Sequence, residues 1–149
     1  MAPDRPVIAV LDKGQDRTDL VRQALKVGYE NLAGELECGM AAWRAAGFEE
    51  RRLSLVDPRH LPEAPLLDVR QASEYQAGHV PGALSVELGA LAGAGDLPRG
   101  PLAVTCGHAE RAMSGASALE RAGRTGVVVV DGGTDGWAAI PGNRLEIGA

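Results

Sequence analysis

The 149-residue chain has few aromatic residues, two cysteines and no long apolar run. Aromatics make up 3% of it, so Val, Leu and Ala must fill most of any core. Cys38 and Cys106 stand far apart with no C-x-x-C spacing. That argues against a disulfide framework and fits a reduced, cytoplasmic setting. No apolar stretch approaches the roughly 20 residues that cross a bilayer, so no membrane partner is expected. The opening MAPDRPVIAVLDKG lacks the charged, apolar and small-residue order of a signal peptide. The net charge is −5, without blocks of like charge, which argues against nucleic acid as a partner. Three histidines and no H-x-H-x-D-H motif supply no metal site, and no cofactor is expected.

Apolar residues, at 45%, suffice for a packed core in a chain sized for one domain or a domain plus a fragment. The sequence also repeats. PVIAVLDKGQDRTDLVRQALKVGYENLAGELECGMAAW runs from Pro6 to Trp43, and PLAVTCGHAERAMSGASALERAGRTGVVVVDGGTDGW from Pro101 to Trp137. Each reads as Pro, apolar strand, polar loop, amphipathic helix, Gly, second segment, Gly and Trp. Pro6 pairs with Pro101, Gly28 with Gly123, Gly39 with Gly133 and Trp43 with Trp137, with one residue inserted in the first copy.

Val7 to Leu11, Leu102 to Thr105 and the β-branched run Val127 to Val130 read as buried parallel strands. Leu20, Val21, Ala24, Leu25 and Val27 recur at helical spacing, and Gly28 stands where a helix-ending glycine belongs. Ala112, Met113, Ala116, Leu119 and Ala122 form a similar stripe, ended by Gly123. Between the copies, Leu53 to Val56 is expected as an edge strand and Leu66 to Val69 as a buried one. Ser73 to Ala77 is expected as a short helix, Ala83 to Val86 as a further strand, and Leu91 to Gly100 as a loop or weak helix. Strands alternating with helices predict a parallel α/β sheet. Residues 51–149 then form a complete domain. Residues 1–50 form the back half of a second domain, which must pack on the first or pair in a homodimer to cover its edges.

Cys106 follows a strand and precedes a helix by about five residues, where open parallel sheets collect ligands. Loop amides from Gly107 to Ala112 and the helix N-terminus would favour a thiolate there, and Arg111 could cap the loop or pair with an anionic substrate. A small buried hydrophobe at a strand end is the competing reading of Cys106.

LLDVRQASEYQAGHVPGALSVEL, from Leu66 to Leu88, resembles the opening motif of rhodanese-like domains. That motif is an apolar run, D-V-R, an acidic residue, then G-H-[IV]-P-G-A. Here it is carried by Asp68, Val69, Arg70, Glu74 and Gly78, His79, Val80, Pro81, Gly82, Ala83. The strand ending in Cys106, the loop closed by Arg111 and DGGTDGW at Asp131 to Trp137 resemble the family in the same order. The first copy, with VGYENLAGELECGMAAWRAAGFE, resembles the end of a preceding rhodanese repeat. The arrangement is similar to the C-terminal part of metallo-β-lactamase-fold hydrolases fused to rhodanese domains, some of them persulfide dioxygenases, and implies such a hydrolase domain as a partner.

The resemblance implies a five-stranded parallel sheet with helices on both faces, preceded by the back half of a degenerate repeat. It implies sulfurtransferase chemistry. Cys106 would take sulfur from thiosulfate or a persulfide, hold it as a persulfide, and pass it to cyanide or a thiol. Gly107, His108, Ala109, Glu110, Arg111 and Ala112 would form the anion-binding loop, and Asp68, Arg70, Glu74 and His79 would support it structurally. The C-x4-R spacing suits sulfur, whereas cysteine phosphatases use C-x5-R. Many family members carry Gly where this chain has Ala109, and a Cβ there is strained only at positive φ. Glu110 adds negative charge to the loop. A non-catalytic regulatory or assembly module is the alternative. In the first copy Leu11 takes the place of Cys106, so that copy is expected to be inactive.

Overall fold

The structure, a computed structural model, describes residues 5–95 and 97–148. The chain separates into two compact units, Met1–Arg51 and Arg52–Ala149.

In the N-terminal unit, β1 (Val7–Ala9), α1 (Arg17–Lys26), β2 (Leu32–Glu35) and α2 (Gly39–Ala45) follow one another. Asp16 caps α1, its side chain accepting the N–H of Thr18 at 2.7 Å. The helix ends before Gly28, which has φ +82°. The two strands pair in parallel, with a register irregularity after Val7. β1 is shorter than the Val7–Leu11 run, and Val10 beyond it is exposed. Among the described residues, the buried hydrophobic ones all lie between Leu66 and Val130, outside this unit. Ile8, Leu25, Val27 and Phe48 are more than half exposed.

The C-terminal unit contains β3 (Ser54–Val56), β4 (Leu66–Asp68), α3 (Ala72–Ala77), β5 (Leu84–Ser85), β6 (Leu102–Thr105), α4 (Glu110–Arg121), β7 (Val127–Val130) and α5 (Gly133–Ala138). Short 3-10 turns occupy Pro58–His60 and Leu88–Gly93. Within the Leu91–Gly100 stretch, residue 96 lies outside the described residues. The strands form one parallel sheet in the order β3-β7-β6-β4-β5.

Alternation along the strands divides the core between the two faces. Leu67, Leu102, Val104, Val127 and Val129 pack on one face with Ala112, Ala116 and Leu119 of α4. Leu66, Ala103 and Val130 pack on the other with Tyr75 of α3 and Trp137 of α5. Central strands covered on both sides explain the unbroken apolar runs. β5 departs from expectation. It is a two-residue, exposed edge, paired among the described residues with β4 alone. Among the described residues, no helix is long and apolar enough to cross a membrane.

Candidate functional site

β6 lies between β4 and β7 and delivers Cys106 to the carboxyl end of the sheet. The chain leaves β4 toward α3 on one face and β6 toward α4 on the other. Ligand crevices in open α/β sheets form where neighbouring connections part in this way.

Cys106 is 1% exposed. Its Sγ accepts the N–H of Ala109 at 3.2 Å and of Ala112 at 3.4 Å. Both donors come from the start of α4, a 12-residue helix whose first-turn amides have no partner within the helix. Preorganised amides aimed at one sulfur stabilise negative charge on it.

Ala109 has φ +124° and ψ −24°. The sequence left open whether this residue sits at negative φ. It does not, and its Cβ is strained.

The segment after β7 forms a second wall. Thr134 donates its N–H to the carbonyl of Cys106 at 2.7 Å, and Asp135 donates to that of Gly107 at 3.2 Å. This approach requires Gly133, at φ +60°, since a Cβ there would meet the Cys106 carbonyl oxygen at 2.3 Å. Buried Thr134 places its hydroxyl 3.4 Å from that of Thr105, which also reaches the Cys106 carbonyl at 3.3 Å. The sequence assigned Gly133 and Thr134 no role. Their signal was a Gly-Gly pair following a strand of four valines.

Arg111 is held by a carboxylate from another element. The sequence placed it to cap the loop or to pair with an anionic substrate; in the structure its two terminal nitrogens bond both Glu74 oxygens, at 2.6 and 2.8 Å. A fork-shaped guanidinium matches a carboxylate in this bidentate way. The Arg111 bonds hold the Glu74 carboxyl at about 2, against an opposing push from partial burial. Glu74 also accepts the Gln71 N–H at 3.2 Å, so the pair ties the start of α3 to the start of α4.

The other supporting residues divide. Asp68, fully buried, receives Arg70 Nε and Nη2 at 2.9 and 2.7 Å, and Arg70 Nη2 also donates to the Gly78 carbonyl at 2.7 Å. This brace holds the end of β4 to the end of α3. His79 stacks on Tyr75 with ring centroids 3.7 Å apart, and its backbone pairs with Glu146. It therefore anchors the Glu146 segment to α3. His108, exposed, places Nε2 3.3 Å from Asp135 Oδ2.

The N-terminal unit holds a cleft of about 510 Å³ lined by Leu11, Lys13, Arg17, Cys38 and Met40, among others. Here Gly39, at φ +55°, approaches the carbonyl of Leu11 so closely that a Cβ would lie 2.5 Å from its oxygen. Leu11 thus stands to Gly39 as Cys106 stands to Gly133. The strand end at this cleft carries no thiol.

A family model of the rhodanese-like domain matches residues 54–140. The HTH-type transcriptional regulator of Mycobacterium tuberculosis is 37% identical over 82 residues, which are 53% of this chain and 35% of the regulator. The thiosulfate sulfurtransferase GlpE of Pseudomonas savastanoi is 35% identical over 79 residues, 51% of this chain and 74% of GlpE. A solved thiosulfate sulfurtransferase from Pseudomonas aeruginosa is 25% identical, with a TM-score of 0.57 over 99% of this chain and 33% of its own. This chain therefore spans about a third of the length of the regulator and of that solved enzyme. The match over residues 54–140 takes in every strand of the five-stranded sheet and the whole cysteine loop, and the chain belongs to the rhodanese-like domain family.

Proposed function

We propose that the chain is a sulfurtransferase that carries sulfane sulfur as a persulfide on Cys106. The observation that carries this reading is the pair of amides, from Ala109 and Ala112, aimed at a thiol at a strand end. Cys106 Sγ attacks the outer sulfur of the donor. One S–S bond forms and one breaks, and the leaving group departs with the electron pair, as sulfite from thiosulfate or as a thiolate from a persulfide. A thiol or cyanide then attacks the outer sulfur and returns Cys106 as thiolate. The amides serve both charged states, and the Thr134 and Asp135 N–H groups fix the loop carbonyls so that the amides need not reorganise. Two relatives named as thiosulfate sulfurtransferases support the reading. A cytoplasmic setting, which keeps thiol acceptors reduced, accords with it.

The test is intact mass after incubation with thiosulfate or a persulfide donor. The protein gains about one sulfur atom, and Cys106→Ala abolishes the gain. Failure of every donor to add sulfur would overturn the reading.

A second reading is a non-catalytic regulatory or assembly module of a larger protein, such as a metallo-β-lactamase-fold hydrolase. The strained φ of Ala109 and the 1% exposure of Cys106 favour it, as does the regulator relative. The same mass measurement separates the two.

Residues 1–50 are, on this proposal, the back half of a degenerate and inactive repeat. Two correspondences support it. Cys38 and Gly39, at φ 57° and 55°, match Gly132 and Gly133 at 65° and 60°, and Leu11 fills the nucleophile position.

A further inference from the structure

Resting on the sulfurtransferase reading, we propose that the electronegative mouth around Cys106 selects a persulfide borne on a cationic carrier, and disfavours thiosulfate and other anionic donors. A donor must bring its reacting sulfur to the loop amides, while the rest of it lies at the mouth among the segments leaving β4, β6 and β7. The basic side chains of those segments are Arg70, His108 and Arg111, and each already faces a carboxylate. Arg70 is bonded to buried Asp68 at 2.7 Å, Arg111 to Glu74 at 2.6 Å, and His108 lies 3.3 Å from Asp135. Glu110, in the loop itself, is exposed and takes part in no ion pair among the described residues, whereas exposed Asp131 lines a cleft with Arg59, whose guanidinium lies 3.8 Å from Asp57. The amides of Ala109 and Ala112 are enough for the single charge on the reacting sulfur. No unengaged cation in these segments remains for a sulfonate or carboxylate on the rest of the donor. An ammonium or guanidinium group beside the persulfide instead finds Glu110 and Asp135.

The transfer needs no external oxidant. The donor's outer sulfur moves to Cys106 Sγ as the donor's S–S bond breaks, and its inner sulfur leaves as a thiolate with the bonding electrons. The number of sulfur–sulfur bonds is unchanged.

The experiment measures the rate at which the reduced full chain gains sulfur, by quenched intact mass. Its donors are cysteamine persulfide, which is cationic, glutathione persulfide, which is anionic, and thiosulfate. Two persulfides compared with each other remove the difference in intrinsic reactivity between a persulfide and thiosulfate. Cysteamine persulfide is expected to load Cys106 about tenfold faster than glutathione persulfide at low ionic strength, with the ratio shrinking at about 0.5 M salt. In the Glu110→Gln/Asp135→Asn variant the ratio falls about fivefold and thiosulfate loading rises. A cysteine-persulfide peptide flanked by lysines distinguishes carriers. Faster loading than from cysteamine persulfide identifies a basic polypeptide, slower loading a small aminothiol, and each supports the proposal if it exceeds glutathione persulfide. Equal rates from the cationic and anionic persulfides, or a ratio unchanged in the variant, overturn this inference and leave sulfur transfer standing. No loading from any donor removes both.

Discussion

Gly133 and Cys106 are in backbone contact, so close that a Cβ on Gly133 would lie 2.3 Å from the Cys106 carbonyl oxygen and 2.5 Å from that of Gly107. Real side chains do not tolerate such distances to backbone, so the glycine is a condition for the loop. It lets α5 donate two amides, to the carbonyls of Cys106 and Gly107.

Gly133→Ala therefore forces the two segments apart and adds strain at φ +60°. The expected cost is about 3 kcal/mol, read by urea denaturation, together with loss of sulfur loading on Cys106. A change under about 0.5 kcal/mol would mean that the contact is not needed.

Ala109→Gly acts in the opposite direction. At φ +124° alanine is strained by an amount on the order of 1–3 kcal/mol, and glycine removes this while adding about 0.5–1 kcal/mol of unfolded-state entropy. The net expectation is a gain of about 1 kcal/mol and equal or faster persulfide formation. A less stable variant would place the strain elsewhere.

The Glu74–Arg111 pair makes part of the stability depend on pH. The folded carboxyl titrates at about 2, below the ordinary value of 4.5, so the unfolded chain binds the proton more readily. Stability from this group is full above about 4.5 and is lost as pH falls toward 2. Because the pair is more than a third exposed, screening limits its worth to about 1 kcal/mol. Glu74→Gln should cost that much at pH 7 and almost nothing near pH 2. A cost that is the same at both ends of this range would show that the carboxylate charge is not what matters.

Arg70→Ala strips the cation from a fully buried carboxylate and leaves the Gly78 carbonyl without its donor. Removing one partner of a buried pair costs about 3–5 kcal/mol. The double replacement Asp68→Leu/Arg70→Met should be less damaging than Arg70→Ala alone, because no unpaired charge stays buried. Thermal denaturation of the three proteins checks the order.

Much of the sheet was legible in the sequence. The runs at Leu66, Leu102 and Val127 are apolar because β4, β6 and β7 are covered on both faces. Cys106 was legible as a strand-end residue, since its strand and helix lie on either side of it in the chain. What stayed hidden depends on distant parts of the chain or on backbone angles. Arg111 and Glu74 are 37 residues apart, so their pairing cannot be read from spacing. The positive φ at Ala109 accompanies the bond from its N–H to Sγ three residues earlier, a loop geometry that the residue types alone do not specify. The role of Thr134 follows from the approach of α5 to β6, which the valine run before it does not specify.

The surroundings of Cys106 also impose an order in time. Its carbonyl is held by Thr134, 28 residues further along the chain, while the adjoining loop is braced from Glu74 far before it. On a ribosome, a chain that has emerged only through Val130 presents Cys106 without its second wall. The loop is complete only once α5 has emerged and docked. A stalled or prematurely terminated product would carry the cysteine and still lack the completed loop.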